Sequence, residues 1–538
     1  PSRRRRRRAR MRARDAIIER FERWCDAFGI VVDRGVVGIE CVSKSAADED
    51  ALDDVDNVAG CFRVVAKTRI DARTTLAVIP KTAVFTTATS RLRRDVGDGV
   101  LEALGEVGVV CAVAYERRFV EDGSSAFSAY FAMIPQRENL PQFWWVDDDD
   151  ARRKVLRGTS VEILLEEDVA RMESDWMEAV ETLNASSWLT FDAFRDAASV
   201  VASRAFFVDE QLGQGLMPFA DLFNHLSDGA HFHVVGASTK TKTKTNAEED
   251  AIRLESCREI SAGDEVYNSF GDDHDNAMLL YKYGFAERTN VVRSIQFPDD
   301  FWNASNPSTA TNFHAIVYFY EWLNENYGGI EFEIDEDGGL SRGLLTALCM
   351  ASKDDDEWLE YEPEADDSSS EEDEETKTEE QQVKEGRFRS CVSECMDEEA
   401  TSSSELLAEI KPELLFTLFA ERFQYYCGDE ISSAGPSELL VSILDDVRAC
   451  LVSSESSPGS FAVGGGVCGL SAAYLLRAQE LSLLSAALVR ACFDDDDDVQ
   501  EASDDDNNAN DAHARKKPKV LVAAPAYNPT VYLQKPSA

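Results

Sequence analysis

The sequence predicts an α+β chain. Two β-rich blocks are separated by a long helical stretch, a second helical region follows them, and acidic runs interrupt the pattern. Asp15 to Phe28 reads as a helix, because Ile17, Ile18, Phe21, Trp24, Cys25 and Phe28 share one helical face. An acidic loop follows near Asp48–Asp56. Phe62–Ala66 and Thr75–Ile79 have the apolar, β-branched character of short strands, with a turn over Thr68–Arg73. Leu92 to Phe207 is mainly helical, and Phe191, Phe194, Ala198, Val201 and Ala205 fall roughly on one face. Met217 to Phe270 is the second β-rich block, broken by the polar loop Ser238–Asp250. Asn276 to Tyr283 reads as a short helix. Helical pattern resumes beyond 310, and its last strong element is Ser471 to Phe493, with Leu481, Leu484 and Leu488 at core spacing. The expected organisation is a basic tail over 1–14 and a mixed domain over 15–290 with a helical insert at about 92–207. An all-α domain over 291–493, carrying an acidic disordered insert at about 353–400, and a disordered tail over 494–538 complete it.

Composition narrows the function classes. Apolar residues make up 44% of 538, enough for large cores, while 55 Lys and Arg against 101 Asp and Glu leave a net charge of −46. Much of that charge lies in runs at Asp147–Asp150, Asp354–Glu380 and Asp494–Asp498, which read as solvated loops. A strongly negative field disfavours direct nucleic-acid binding and favours a basic partner. The 12 cysteines contain no C-x-x-C pair, so zinc-ribbon and secreted disulfide frameworks are not expected. No apolar run reaches the ~18 residues of a membrane span. Arg3–Arg8, after a first residue that is Pro, and Arg515–Lys519 are basic clusters that suit either a nuclear address or a basic tail.

Several segments carry chemistry in a fixed order. They are Val58–Ile70 with Leu76–Lys81, Ser125–Pro135, Leu156-Arg-Gly-Thr159 and Ala202-Ser-Arg-Ala-Phe206. Gly215–His225, ending in an Asn-His pair, Ala262–Gly271 and Asn276–Phe285, closing on Tyr-Gly-Phe, come next. Gly343–Cys349 and the helix from Ser471 follow. In this order the segments resemble the SET-domain protein methyltransferases of the Rubisco large-subunit methyltransferase branch. They are most similar to its nuclear and ribosomal-protein lysine methyltransferases, over roughly residues 20 to 490. The resemblance implies a split β-rich SET domain with a helical insert, then a helical substrate-binding domain. It implies S-adenosylmethionine as cofactor and methyl transfer to an exposed lysine of a protein substrate.

It also implies roles for residues. The cofactor set is Gly60, Cys61, Phe62, Arg204, Asp221, Asn224, His225, Tyr283 and Phe285. Phe127, Ala205 and Asp221 face the substrate, and Tyr283 and Phe270 occupy the catalytic wall. The physics agrees. Methyl transfer from a sulfonium is an in-line displacement that needs positioning and exclusion of water. Arg204 suits a carboxylate, Gly60 a close backbone approach, and Asp221 a hydrogen bond near the amine. Outside that frame Phe62, Phe127 and Phe285 read as core aromatics, His225 as a structural histidine, Asp221 as a turn residue and Arg204 as a helix-surface residue. No general base stands out.

Two departures from the pattern matter. Phe270 stands where the family carries a tyrosine, and Tyr267, three residues earlier, faces the other side of a regular strand. Gly60-Cys61-Phe62 replaces a Gly-x-Gly. A catalytically weak cofactor-binding scaffold is therefore the alternative, with histidine methylation a third reading. His231 and His233 lie near His225, but no Cys or carboxylate joins them at ligand spacing, so no metal is expected. Gly464–Gly469 matches G-x-G-x-x-G without the βαβ unit that motif needs, and reads as a glycine-rich lead into a helix. The basic cluster over Lys516–Lys519 favours the nucleus, with cytoplasm and chloroplast as alternatives.

Overall fold

The computed structural model describes residues 2–41, 62–146, 150–227, 229–235, 251–271, 274–290, 292, 294–297, 332–335, 338–352, 389–397, 400–427, 436–456, 466–468 and 470–492. The first helix, α1 (Ser2–Ala27), begins earlier than its apolar face, so most of the expected basic tail continues the helix. Then come β1 (Val31–Val32), β2 (Val37–Cys41), β3 (Phe62–Ala66) and β4 (Thr75–Pro80). The helical insert holds α2 (Arg91–Val96), α3 (Asp98–Ala103), α4 (Val107–Arg117), α5 (Ser128–Phe131), α6 (Pro141–Val146), α7 (Asp150–Leu156), α8 (Ser160–Thr182) and α9 (Phe191–Arg204). Ala205 is not on the last helix as its spacing suggested. It opens β5 (Ala205–Asp209), which pairs antiparallel with β6 (Gly213–Leu216). Next follow β7 (Phe232–Val235), β8 (Ala251–Ser256), α10 (Asn276–Tyr283) and β9 (Phe285–Glu287).

The largest sheet is antiparallel, in the order β1-β4-β8-β7. Strands β2 and β3 pair over Val37–Cys41 and Phe62–Ala66. Alternation places Phe62, Val64 and Leu76 in one buried cluster with Phe21, Phe85, Val109 and Phe194, so strands and insert share a core.

The C-terminal region departs from the all-α expectation. Its helices over Arg342–Ser352, Ser403–Glu409, Pro412–Cys427, Pro436–Ser456 and Leu470–Cys492 enclose a second apolar cluster. Short strands accompany them: Ile295–Gln296 pairs with Glu333–Ile334, and Gly466–Cys468 pairs antiparallel with β9. The glycine-rich run near 466 is thus partly a strand that reaches back to the first region. A third cluster joins Trp144, Leu156 and Leu165 of the insert to Leu280 of α10 and to Ala472 and Leu476 of the last helix.

At that junction the Leu156–Thr159 segment docks through polar groups. The Arg422 guanidinium donates to the Gly158 carbonyl at 2.7 Å, and Arg477 donates to the Arg157 carbonyl at 2.8 Å. Glu480 accepts from the Ser160 N–H at 3.0 Å and from the Tyr426 hydroxyl at 2.8 Å. Burial raises the Glu480 carboxyl to about 6 against the pull of Arg422. The expected disordered insert at about 353–400 holds for none of its described part, because residues 389–396 are helical; 353–388, the expected disordered tail 494–538 and the loop 236–250 lie outside the described residues.

Candidate active site

The Asn-His pair is built by two chain segments crossing side by side. Asn268 N–H donates to the Asn224 carbonyl at 2.8 Å, Leu226 N–H donates to the Asn268 carbonyl at 2.9 Å, and His225 bridges Asn268 in parallel. This crossing brings Phe270 beside His225, with ring centroids 5.1 Å apart. Helix α10 then delivers Tyr283 and β9 delivers Phe285. Gly284 makes that turn possible. It takes φ +78, and a Cβ there would meet the Asn139 carbonyl oxygen at 2.6 Å. Phe270 lies 4.7 Å from Tyr283 and 6.3 Å from Phe285, and His225 lies 5.8 Å from Phe285. Four sequence-predicted residues, His225, Phe270, Tyr283 and Phe285, therefore form one aromatic wall. His274 extends it, 6.2 Å from Tyr283. Its ring closes over Gly271, where a Cβ would approach it at 2.7 Å.

The wall holds one orphan. The Tyr283 hydroxyl is buried with no hydrogen-bond partner among the described residues, and burial pushes its ionisation well up, so it remains a neutral O–H. Asn268 Oδ1 is likewise buried and unpartnered. His225 is 2% exposed, and burial, with His274 nearby, lowers its ring to about 3. It is a neutral imidazole, as a structural histidine would be, yet it stands in the wall.

A second cluster surrounds Asp221. One carboxylate oxygen accepts from the Tyr130 hydroxyl at 2.6 Å, while Oδ1 is buried without a partner among the described residues, and burial raises the group to about 6. Arg204 does not stand open to a ligand carboxylate. Its Nε donates to Glu138 at 2.6 Å and its Nη1 to the Asp221 carbonyl at 3.1 Å. Ser203 donates to the Lys282 carbonyl at 2.6 Å, so the end of α9 links Asp221 to the end of α10, beside Tyr283. Phe219, two residues before Asp221, carries an unusual φ of +75.

Other predicted residues are not brought to the wall. Phe127, expected to face a substrate, is 3% exposed and packs among Trp24, Phe28 and Phe85, with centroids 5.0–5.7 Å away. It is a core aromatic as placed, because its neighbours in space are rings from α1 and from the loop after β4. Ala205 and Phe62 are also buried at strand starts. The Asn224 side-chain amide is taken by Glu265 at 2.5 Å. Gly60 and Cys61 lie outside the described residues. Tyr267 turns away from Phe270, with its hydroxyl 3.3 Å from Glu265 and its ring beside His231. His231 Nδ1 accepts from the Tyr267 N–H, and no group of three metal-ligating side chains gathers among the described residues. Sequence reasoning missed Tyr130, Glu138, Ser227 and Glu287. Glu287 followed the Tyr-Gly-Phe motif closely, but a carboxylate there carried no local signal.

Comparison with known proteins adds to this geometry. No family model matches the chain. The chain is similar to N-lysine methyltransferase SETD6 of Mus musculus, 26% identical over 50% of this chain and 54% of that protein. It is similar to ribosomal lysine N-methyltransferase 4 of Saccharomyces cerevisiae, 23% identical over 42% of this chain and 49% of that protein. The chain thus spans about half the length of the curated relatives it matches. Among solved structures, the SET domain of LSMT bound to lysine and AdoHcy superimposes with a TM-score of 0.56 at 16% identity, covering 87% of this chain and 89% of that one. Rubisco LSMT bound to AdoMet gives 0.53 at 17%, covering 88% and 90%. The fold is α+β with the SET architecture, and the likeness to this methyltransferase branch appears in both sequence and structure.

Proposed function

We propose that the chain is a protein-lysine N-methyltransferase that draws its methyl group from S-adenosylmethionine. The Tyr283 hydroxyl carries the reading. A phenol O–H buried in a wall of rings is normally paired, and an orphan there fits a guest that supplies the missing partner. Ring faces also favour positive charge. S-adenosylmethionine, when bound, supplies a methyl carbon on a cationic sulfur. Tyr283, Phe285 and His225 would hold it, with the 60–62 segment. Phe270 and the half-buried rings beside it would shield the reacting groups from water, and the Tyr283 O–H would orient what enters. Asp221, with one buried oxygen unpartnered among the described residues, is our choice for the amine contact. The relatives named as lysine methyltransferases, and the solved neighbours bound to lysine and AdoMet, support the same class.

Phe270 supports a second reading, a cofactor-binding scaffold with weak turnover, because its ring brings no hydroxyl. One experiment separates the two. S-adenosylmethionine is titrated calorimetrically into the full chain, and methyl transfer to lysine-bearing and histidine-bearing peptides is assayed in parallel. Saturable binding, transfer to lysine and a loss of about a hundredfold or more in Tyr283→Phe, the worth of one oriented donor, are expected. A large gain in Phe270→Tyr at unchanged affinity would favour the scaffold, and absence of binding would end both.

Finer features follow the same reading. A basic substrate is supported by the charge of −46. Residues 15–290 form the catalytic unit and 291–493 the substrate-binding unit, each with its own cluster. The basic Lys516–Lys519 cluster supports nuclear residence, whereas an Arabidopsis thaliana relative is named chloroplastic. Among the described residues no helix is long and apolar enough to cross a membrane.

A further inference from the structure

Behind the aromatic wall, hydrogen bonds run in one direction through partly buried groups. The Phe270 N–H donates to His225 Nδ1 at 2.9 Å. His225 Nε2 lies 2.9 Å from Ser227 Oγ. The Ser227 N–H donates to Glu287 Oε2 at 3.2 Å. A backbone N–H only donates, so Nδ1 carries the lone pair and the ring proton sits on Nε2. Ser227 Oγ therefore accepts from the ring, and the Ser227 N–H carries the line on to Glu287. The line ends on a fixed support: Glu287 is 2% exposed, its N–H donates to Asn276 Oδ1 at 2.8 Å, and its carbonyl accepts from Asn276 Nδ2 at 2.8 Å. The strand that carries Glu287 also carries Phe285, so both ends of the line reach the wall.

We propose that Ser227 and Glu287 are positioning residues that hold His225 with its proton on Nε2, so that Nδ1 clamps the main chain at Phe270 and sets where that ring stands in the wall. The consequence for methyl transfer rests on the proposed function; the proton arrangement does not. Such outer partners commonly fix a histidine's tautomer and orientation.

The test uses the full chain labelled with ¹⁵N-histidine, its His225 signals assigned by their loss in His225→Gln. Long-range ¹H–¹⁵N correlation is expected to show the proton on Nε2, with a slowly exchanging N–H. In Ser227→Ala that N–H signal is lost to solvent exchange, and methyl transfer falls about tenfold, the worth of one hydrogen bond. Ser227→Thr, which keeps the hydroxyl, restores both. A wild-type ring protonated on Nδ1, an unaltered N–H signal in Ser227→Ala, or turnover indifferent to that change would overturn the proposal. The expected spectra with no methyl transfer from any variant would overturn the enzyme reading instead and leave the proton arrangement standing.

Discussion

At the scale of single residues, burial decides chemistry. The His225 ring takes up a proton near pH 3 when folded and near 6.5 when free. The unfolded chain therefore binds more protons on acidification, and stability is lost as pH falls below 6.5 toward 3. Between pH 7 and 5 the loss from this ring is about 2 kcal/mol. His225→Gln, which retains an acceptor and a donor, should flatten the dependence of unfolding free energy on pH over that window. Parallel curves for the two proteins would contradict a neutral buried ring. Phe127 and Phe285 show the limit of reading residues singly. Both are aromatic, both lie in motifs, and only one reaches the wall.

At the scale of elements, caps place the site. Asp275 accepts from the Met278 N–H at 2.8 Å and starts α10, and Gly284 ends it in the left-handed region. Both residues are what helix-end rules favour, so this element is legible in the sequence almost residue for residue. Gly284→Ala meets both an unfavourable φ and the Asn139 carbonyl. It is expected to cost roughly 2 kcal/mol or more, and to lower methyl transfer further by shifting Tyr283 and Phe285. Thermal melting of the variant measures the first effect; an unchanged melting temperature would show that the turn relaxes freely. The strands β3 and β4 were as legible as α10, whereas the end of α9 was not. Ala205 keeps helical spacing, yet the chance to pair with Leu216 draws it into a strand.

At the scale of the whole molecule, a buried polar junction ties the helical insert to the last helices. Arg422 is 0% exposed and holds the Gly158 carbonyl from 264 residues away, beside Glu480 and Tyr426. Removing one member leaves the others buried without compensation. Arg422→Ala is expected to destabilise the chain by about 3–5 kcal/mol, read as a lower urea midpoint. A loss under about 1 kcal/mol, the range of exposed pairs, would show that water reaches the junction. Leu156-Arg-Gly-Thr159 was visible as a motif, but its task of offering carbonyls to Arg422 and Arg477 was not.

Local pattern determined the α+β class, the order of blocks, α10 and the strands beside the Asn-His pair, because helix and strand periodicity and caps are written within a few consecutive residues. Tertiary structure alone decided that Arg204 is spent on Glu138 and the Asn224 amide on Glu265, that Phe127 belongs to the core, and that the Tyr283 hydroxyl finds no partner among the described residues. Those outcomes depend on which groups meet across long stretches of chain, 41 residues for Asn224 and Glu265 and 66 for Arg204 and Glu138. A buried polar group takes the nearest partner that packing brings, and no spacing in the sequence encodes that choice.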